Sequence, residues 1–111
     1  MIRGGAVVVN TRDVESALRF YIETLGMKLV EEAADGSAII DAGEGFCIEL
    51  RQGEAPSPSV VLYPKVPIAE AIAIYENRGV DFDVQRTERA TVARFRDLDD
   101  NQLALVEKVR T

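Results

Sequence analysis

The chain has 111 residues, of which 47% are hydrophobic and 29% charged, a composition typical of one folded globular domain. Its formal net charge of −6 argues against nucleic acid as a partner, because a phosphate backbone is bound by clustered Lys and Arg. No apolar run reaches the length of a membrane span, so no membrane association is expected.

Cysteine usage and the first residues suggest a compartment. The chain has one cysteine, Cys47, which excludes an intrachain disulfide and fits a reducing environment. The opening residues Met1–Gly5 lack the apolar core of a signal peptide. We therefore expect a cytoplasmic protein. Its acidity would suit a cationic ligand, although a solubilising surface charge is the simpler explanation.

The first half reads as a strand, a helix and three further strands. Asp13 is the expected N-cap of the helix and Gly26 its expected end. The Asp35-Gly36 pair predicts a hairpin turn. The predicted strands are Ala6–Val9, Met27–Glu32, Ser37–Asp41 and Phe46–Arg51.

The second half repeats this order after a Pro- and Gly-containing linker at about residues 52–58. Pro67 opens the predicted helix, which ends near Arg78 and Gly79. The run Asp97–Asn101 is interpreted as a solvated hairpin turn. The predicted strands are Val60–Tyr63, Asp81–Gln85, Thr91–Arg96 and Gln102–Val109.

The two halves are related in sequence as well as in order. Val14–Tyr21 aligns with Ile68–Tyr75 at an offset of 54 residues (68 − 14), and apolar residues match at five of the eight places. Such a repeat indicates two copies of one unit. We predict a single α+β domain spanning residues 1–111, with module one at about 1–52 and module two at about 59–111.

Two segments resemble a known superfamily. Val9–Tyr21, followed by Leu25-Gly26-Met27, is similar to the first helix of glyoxalase and bleomycin-resistance proteins, and Phe95–Leu105 to their closing hairpin. That hairpin usually reads Phe-x-Asp-Pro-Asp-Gly-Asn; here Leu98 and Asp100 replace the Pro and Gly. The resemblance, to the vicinal oxygen chelate superfamily that includes extradiol dioxygenases, implies two tandem βαβββ modules. They would form a curved mixed β-sheet cup with helices outside, in a homodimer.

The resemblance also implies where a metal would be bound. Metal-using members hold one divalent cation with four side chains on the first and last strands of each half. These positions fall here on Ala6, Glu49, Val60 (Ser59 if the register slips by one) and Ala104. A lone carboxylate cannot hold such an ion, and the chain has no histidine. We therefore predict no metal and no other cofactor.

Glu49 is the candidate functional residue. Strand alternation places it on one face with Cys47 and Arg51, and places Phe46, Ile48 and Leu50 on the other. In an apolar cup its pKa would rise, as suits a general acid or base, or it could bind a cationic or hydroxylated ligand. Alternatively, Arg51 pairs with it and the pair is structural. The ligand-binding candidates are Glu49, Cys47, Arg51, Tyr63, Phe95, Ala6, Val60 and Ala104.

Three functions remain open at this point. The first is a metal-free protein that sequesters a small organic ligand, as bleomycin-resistance-like proteins do. The second is a lyase, isomerase or dioxygenase of the same superfamily, with Glu49 as acid or base. The third is a structural or regulatory module whose cup is filled by its own side chains. Cys47 is interpreted as a small hydrophobe rather than a nucleophile, since no histidine could activate it.

Overall fold

The computed structural model describes residues 6–54 and 59–109. Over these ranges it is an α+β fold, as predicted, and observed element bounds agree with the predicted ones to within two residues. Residues 1–5 and most of the expected linker at 52–58 lie outside the described residues. The elements are β1 (Ala6–Thr11), α1 (Val14–Arg19), β2 (Lys28–Glu32), β3 (Ala38–Asp41), β4 (Cys47–Gln52), β5 (Val60–Leu62), α2 (Ile68–Asn77), β6 (Asp83–Arg86), β7 (Ala90–Arg96) and β8 (Gln102–Lys108).

Each module forms its own four-stranded mixed sheet. In the first sheet the order is β1-β4-β3-β2, and in the second it is β5-β8-β7-β6. The first strand of each sheet runs parallel to the last strand of its module, and the other neighbours are antiparallel. The predicted βαβββ repeat is therefore confirmed.

The chain divides into two compact units, whose boundaries differ slightly from those of the two modules. The first, called unit one, comprises the described residues up to 54 together with 97–101. The second, unit two, comprises 59–96 and the described residues from 102 onward.

The first helix begins and ends at the predicted residues. The Asp13 carboxylate accepts hydrogen bonds from the Glu15 backbone N–H at 3.1 Å and from the Ser16 hydroxyl at 2.8 Å. The helix continues beyond α1 as a π-helical turn, Phe20–Thr24. Gly26 follows at a φ of 82°, a left-handed conformation that glycine adopts without steric cost.

The core of unit one contains Val9, Tyr21, Ile40, Ile48 and Leu50, none of which has accessible surface. Ile48 and Leu50 point inward from β4 as strand alternation predicts. Phe46, expected on the same buried face, is instead 38% exposed. Phe46 lies between Gly45, whose φ of 77° turns the chain, and Cys47, the first residue of β4. Because Phe46 precedes the strand, the alternation of side chains does not extend to it.

The turn at Asp97–Asn101 is a hairpin turn, and the expectation that it is solvated holds for Leu98 and Asp100, which are exposed, but not for the two ends of the turn. Asp97 and Asn101 are buried within unit one. The Asp97 carboxylate accepts from the Tyr21 hydroxyl at 2.8 Å and from the Asn101 side-chain amide at 2.9 Å. The same amide donates to the Asn10 carbonyl at 2.6 Å. Hydrogen bonding to distant residues thus draws the turn into the core.

The core of unit two lies between its sheet and α2. Ile68, Ile72, Phe95, Leu103 and Leu105 are each less than 10% exposed. This packing sets which face of the sheet is buried and which is open, and the open face carries the candidate site.

Candidate functional site

Glu49 lies on the open face of the first sheet. It is paired in register with Val8 on β1 and with Ile39 on β3. Cys47, two residues earlier on the same face, is paired with Ala6. Glu49 and Cys47 are half-buried, whereas Ala6 is exposed. This part of the face is therefore mostly apolar around one carboxylate.

The Glu49 carboxylate is paired with a cation. The Nε of Arg51 donates a hydrogen bond to Glu49 Oε2, and the two side chains form an ion pair. The side chain of Glu49 is 18% exposed and that of Arg51 is 57% exposed. The structural alternative considered for this residue is therefore present in the structure, and any ligand of Glu49 would have to share or displace Arg51.

The second sheet places Val60 and Ala104 on opposite faces. Val60 is paired with Leu103 and is 3% exposed, on the side packed against α2. Ala104 is paired with Val61 on one side and with Arg94 on the other, on the open face. Because side chains alternate along a strand, a one-residue difference in register moves a residue to the other face. The open-face counterpart of Ala104 is Val61.

A cavity of about 730 Å³ lies over the open face of the second sheet. Its floor is apolar, formed by Val61, Val92, Ala104 and Val106. The polar and charged residues that line the cavity are Ser59, Asp81, Asp83, Arg94, Arg96 and Gln102.

The two aromatic candidates lie in different surroundings. Phe95 lines the cavity together with Phe82, and the two rings meet edge to face with centroids 5.2 Å apart. Phe95 itself is 4% exposed, so it serves the core as well. Tyr63 does not line this cavity; it is 66% exposed, with the Lys108 ammonium 5.8 Å from its ring centroid.

A second, smaller cavity of about 430 Å³ lies in unit one and is mainly polar. Its two arginines, Arg12 and Arg51, are both engaged. Arg12 pairs with Asp99 at 3.1 Å and Arg51 pairs with Glu49. This cavity therefore offers a ligand no guanidinium group outside an ion pair, unlike the cavity in unit two.

The donor set does not fit the divalent cation that metal-using members of the superfamily hold. Among residues 6–54 and 59–109, no group of three or more His, Cys, Asp or Glu could bind a metal ion. On the open face of the first sheet, Val8 of β1 is the register partner of Glu49 on β4. On the open face of the second sheet, Val61 of β5 is the register partner of Ala104 on β8. Three of these four side chains have no donor atom, and the fourth already pairs with Arg51.

Sequence reasoning missed the arginines of the cavity. Acidic residues lie near Arg94 and Arg96 in the sequence and balance their charge, so these two residues did not stand out. The signal that could have found them is the alternation of Arg94-Phe95-Arg96 in a strand whose phenylalanine is buried, which puts both guanidinium groups on the open face.

The chain belongs to the Glyoxalase/Bleomycin resistance protein/Dioxygenase superfamily, whose family model matches residues 5–111. No curated protein sequence matches it. The fold is similar to that of a superfamily member from Sphaerobacter thermophilus DSM 20745, with 24% identity, a TM-score of 0.82 and coverage of 96% of this chain and 98% of that one.

Two further solved structures share the fold. One is TnmS3, an antibiotic binding protein from Streptomyces sp. CB03234, with 21% identity, a TM-score of 0.79 and coverage of 98% and 99%. The other is TioX from Micromonospora sp. ML1, with 18% identity, a TM-score of 0.78 and coverage of 96% and 100%. Neither described helix of this chain is long and apolar enough to cross a membrane.

Proposed function

We propose that this protein binds a small organic ligand without the metal ion used by other members of its superfamily. The observation that carries the proposal is the cavity of about 730 Å³ on the open face of the second sheet. Ligand sites of proteins commonly have volumes of about 300–1,000 Å³, with an apolar lining and a few polar groups. The four apolar floor residues and the surrounding polar side chains match that description.

The proposal is supported by the side chains of the cavity floor. Val61, Val92, Ala104 and Val106 offer methyl groups and no donor atoms, so the floor is an apolar contact surface. Burying an apolar ligand there contributes about 25 cal/mol for each Å² removed from water. The antibiotic-binding role of TnmS3, which shares this fold, agrees with sequestration of an organic compound.

The competing functions find less support. Catalysis by Glu49 in a lyase, isomerase or dioxygenase would compete with the ion pair that its carboxylate forms with Arg51. A module filled by its own side chains would have no cavity, whereas the open face of the second sheet has a large one. Ligand binding in the cavity requires no change in the Glu49–Arg51 ion pair and uses the cavity of the second sheet directly.

The test is a thermal-shift screen of aromatic and aliphatic organic compounds, followed by titration of the compounds that raise the melting temperature. The blocking variant is Val61→Trp, because Val61 lines the cavity and is 45% exposed, so the indole can enter the cavity without disturbing the core. The matched control is Val66→Trp, at a 38% exposed valine of the same unit that does not line the cavity.

We expect at least one compound class to stabilise the wild type and the control variant but to bind Val61→Trp at least about tenfold more weakly, a loss of about 1.4 kcal/mol. Compounds that bind all three proteins equally would show that the cavity is not the ligand site.

A further inference from the structure

We infer that the ligand of the unit-two cavity is an organic compound with an apolar body that carries an anionic oxygen group, a carboxylate or a sulfonate. The inference rests on the proposed function and adds the chemical class of the ligand. It follows from the side chains on the central strand β7, which point away from α2 over the cavity floor.

Two guanidinium groups stand on this open face. Arg94 and Arg96 are two residues apart on β7, and both line the cavity. Arg94 donates a hydrogen bond to the neutral side-chain oxygen of Gln85 at 3.3 Å. Neither arginine forms an ion pair with a carboxylate of the described residues. A guanidinium presents a planar fork of N–H donors that matches a carboxylate or sulfonate in two parallel hydrogen bonds.

A neutral donor lies beside Arg96. Gln102 is its register partner on β8, and the Gln102 side-chain carbonyl accepts from the Ser59 hydroxyl at 3.2 Å. The side-chain carbonyl is thereby satisfied, which leaves the amide N–H groups as donors toward the cavity. Arg96 and Gln102 together provide donors for more than one oxygen of an anionic group.

Two carboxylates oppose this arrangement. Asp81 and Asp83 also line the cavity, and Asp83 is the register partner of Arg94. Asp83 lies on β6, the edge strand, whereas the arginines lie on β7, which has a neighbouring strand on each side. Neither aspartate forms an ion pair with Arg94 or Arg96 among the described residues. Both guanidinium groups therefore keep N–H donors for an anion, whose affinity the two aspartates lower.

The remaining contacts favour an apolar body. Val61, Val92, Ala104 and Val106 form the cavity floor, so an apolar part of the ligand can lie on it while the anionic group lies against the arginines.

The test uses two fluorescent probes that share one ring system. 8-Anilinonaphthalene-1-sulfonate carries the sulfonate, and N-phenyl-1-naphthylamine lacks it. Both are titrated into the wild type, Arg96→Gln, Asp83→Asn and the control Arg86→Gln. Arg86 lies on β6, is exposed and does not line the cavity. Arg86→Gln changes the net charge by the same amount as Arg96→Gln and is therefore the matched control.

We expect the sulfonate probe to bind the wild type more tightly than the neutral probe. Arg96→Gln should weaken the sulfonate probe about three- to tenfold, the range for a charge-assisted hydrogen bond with partial solvent screening. The affinity of the neutral probe for Arg96→Gln should differ from that for the wild type by less than about twofold. The same should hold for the affinity of the sulfonate probe for Arg86→Gln. Asp83→Asn should bind the sulfonate probe more tightly than the wild type does. Added salt should weaken binding of the sulfonate probe more in the wild type than in Arg96→Gln.

Failure of this inference can be told apart from failure of the proposed function. Equal affinities for the two probes, both lowered by Val61→Trp and neither by Arg96→Gln, would keep the cavity as a ligand site and overturn the anionic ligand class. Probe binding that Val61→Trp leaves unchanged would overturn both. A melting temperature of Arg96→Gln close to that of Arg86→Gln confirms that the binding loss does not come from unfolding.

Discussion

The Tyr21 hydroxyl is a buried polar group of unit one, and its partner, the Asp97 carboxylate, lies 76 residues away in the sequence. Tyr21 has no accessible surface. Burial raises the pKa of Tyr21 above its usual value of 10.0, and the negative charge and hydrogen bond of Asp97 raise it further. The neutral phenol is therefore strongly preferred in the folded state.

We expect Tyr21→Phe to lower the free energy of unfolding by about 1–3 kcal/mol, because Asp97 loses a buried donor. Urea unfolding at pH 7 measures the change. The matched control is Tyr63→Phe, since the Tyr63 side chain is 66% exposed, and it should stay within about 0.5 kcal/mol of the wild type. Equal losses in both variants would contradict a specific role of the buried hydroxyl.

The raised pKa of Tyr21 also predicts a pH dependence. A group whose pKa is higher in the folded state contributes its full stability below the unfolded-state value of 10.0 and loses it as pH rises above that value. We expect the wild-type stability to fall above this pH and the fall to be shallower in Tyr21→Phe. Parallel curves for the two proteins would show that other groups govern alkaline unfolding.

Glu49 and Arg51 make a separate prediction, because strand alternation put them on one face but could not decide between a ligand contact and an ion pair. Since Arg51 is 57% exposed, the pair is screened by solvent, and we expect Glu49→Gln or Arg51→Gln to cost less than about 1 kcal/mol. The double variant should lower the free energy of unfolding by no more than the larger of the two single losses plus about 0.3 kcal/mol. A ligand weakened about tenfold by Glu49→Gln but not by Arg51→Gln would make Glu49 a ligand contact.

At the level of secondary structure, the turn at Asp97–Asn101 departs from the usual family sequence at two residues. Asp100 adopts a φ of 63°, where the family usually has glycine. Leu98 is 57% exposed, where the family usually has proline. Neither residue is needed for the buried contacts, which involve Asp97, Asp99 and Asn101.

We expect Leu98→Pro combined with Asp100→Gly to raise the free energy of unfolding by about 0.4–1 kcal/mol. Proline restricts the unfolded chain, and glycine removes the steric cost of the left-handed residue. Thermal unfolding measures the gain. The control pair, Leu98→Ala with Asp100→Ala, should not stabilise the protein, because alanine provides neither effect. Stabilisation by the alanine pair would refute this account of the turn.

The helix α2 depends on a carboxylate from the last strand. Its N-cap residue, Pro67, offers no side-chain hydrogen bond, and the Ile68 N–H donates instead to Glu107 Oε2 at 3.0 Å. An anion near the first turn also interacts favourably with the helix dipole.

We expect Glu107→Ala to destabilise the protein by about 0.5–2 kcal/mol and Glu107→Gln by less, because glutamine keeps the acceptor and loses the charge. Chemical unfolding compares them with Glu31→Ala, a substitution at an exposed glutamate of a strand. A loss no larger than that of the control would show that α2 needs no cap from β8.

Element bounds could be predicted because turn residues and apolar periodicity mark them locally. Asp13, Gly26 and the Asp35-Gly36 turn were identified from local chemistry alone, and Gly36 has the expected positive φ of 90°. The π-helical turn at Phe20–Thr24 was not, since it changes the hydrogen bonding without changing the apolar pattern. The face occupied by Val60 was missed for a related reason. A three-residue strand is too short for alternation to fix its register.

For the whole molecule, the homodimer remains a prediction. The edge strand β2 of the first sheet carries Leu29, which is 45% exposed, and Val30, which is 58% exposed. Edge strands with apolar side chains are commonly covered by a partner. We expect light scattering to give twice the monomer mass of 12.2 kDa, and Val30→Lys to shift the protein toward monomer. A wild-type monomer at micromolar concentration would contradict this.

The sequence repeat was enough to predict two βαβββ modules, because each half carries its own succession of elements. The cavity was not predictable to the same degree. Its floor and its charges come from residues whose side chains meet across the sheet, from Ser59 to Val106, and only their register brings them together. The cup between the modules stays an expectation drawn from the resemblance.

The buried turn also determines how the chain can be divided. Unit one includes residues 97–101, which lie far beyond the end of the first repeat. A fragment ending in the linker would lack the acceptor for the Tyr21 hydroxyl and the donor to the Asn10 carbonyl, both of which are supplied by that turn. Burying polar groups without hydrogen-bond partners costs free energy of folding, so neither half should fold stably when it is expressed alone. Two fragments produced together in one cell could restore these hydrogen bonds, which makes the repeat boundary a site for a two-part reporter and not for an independent half-size protein.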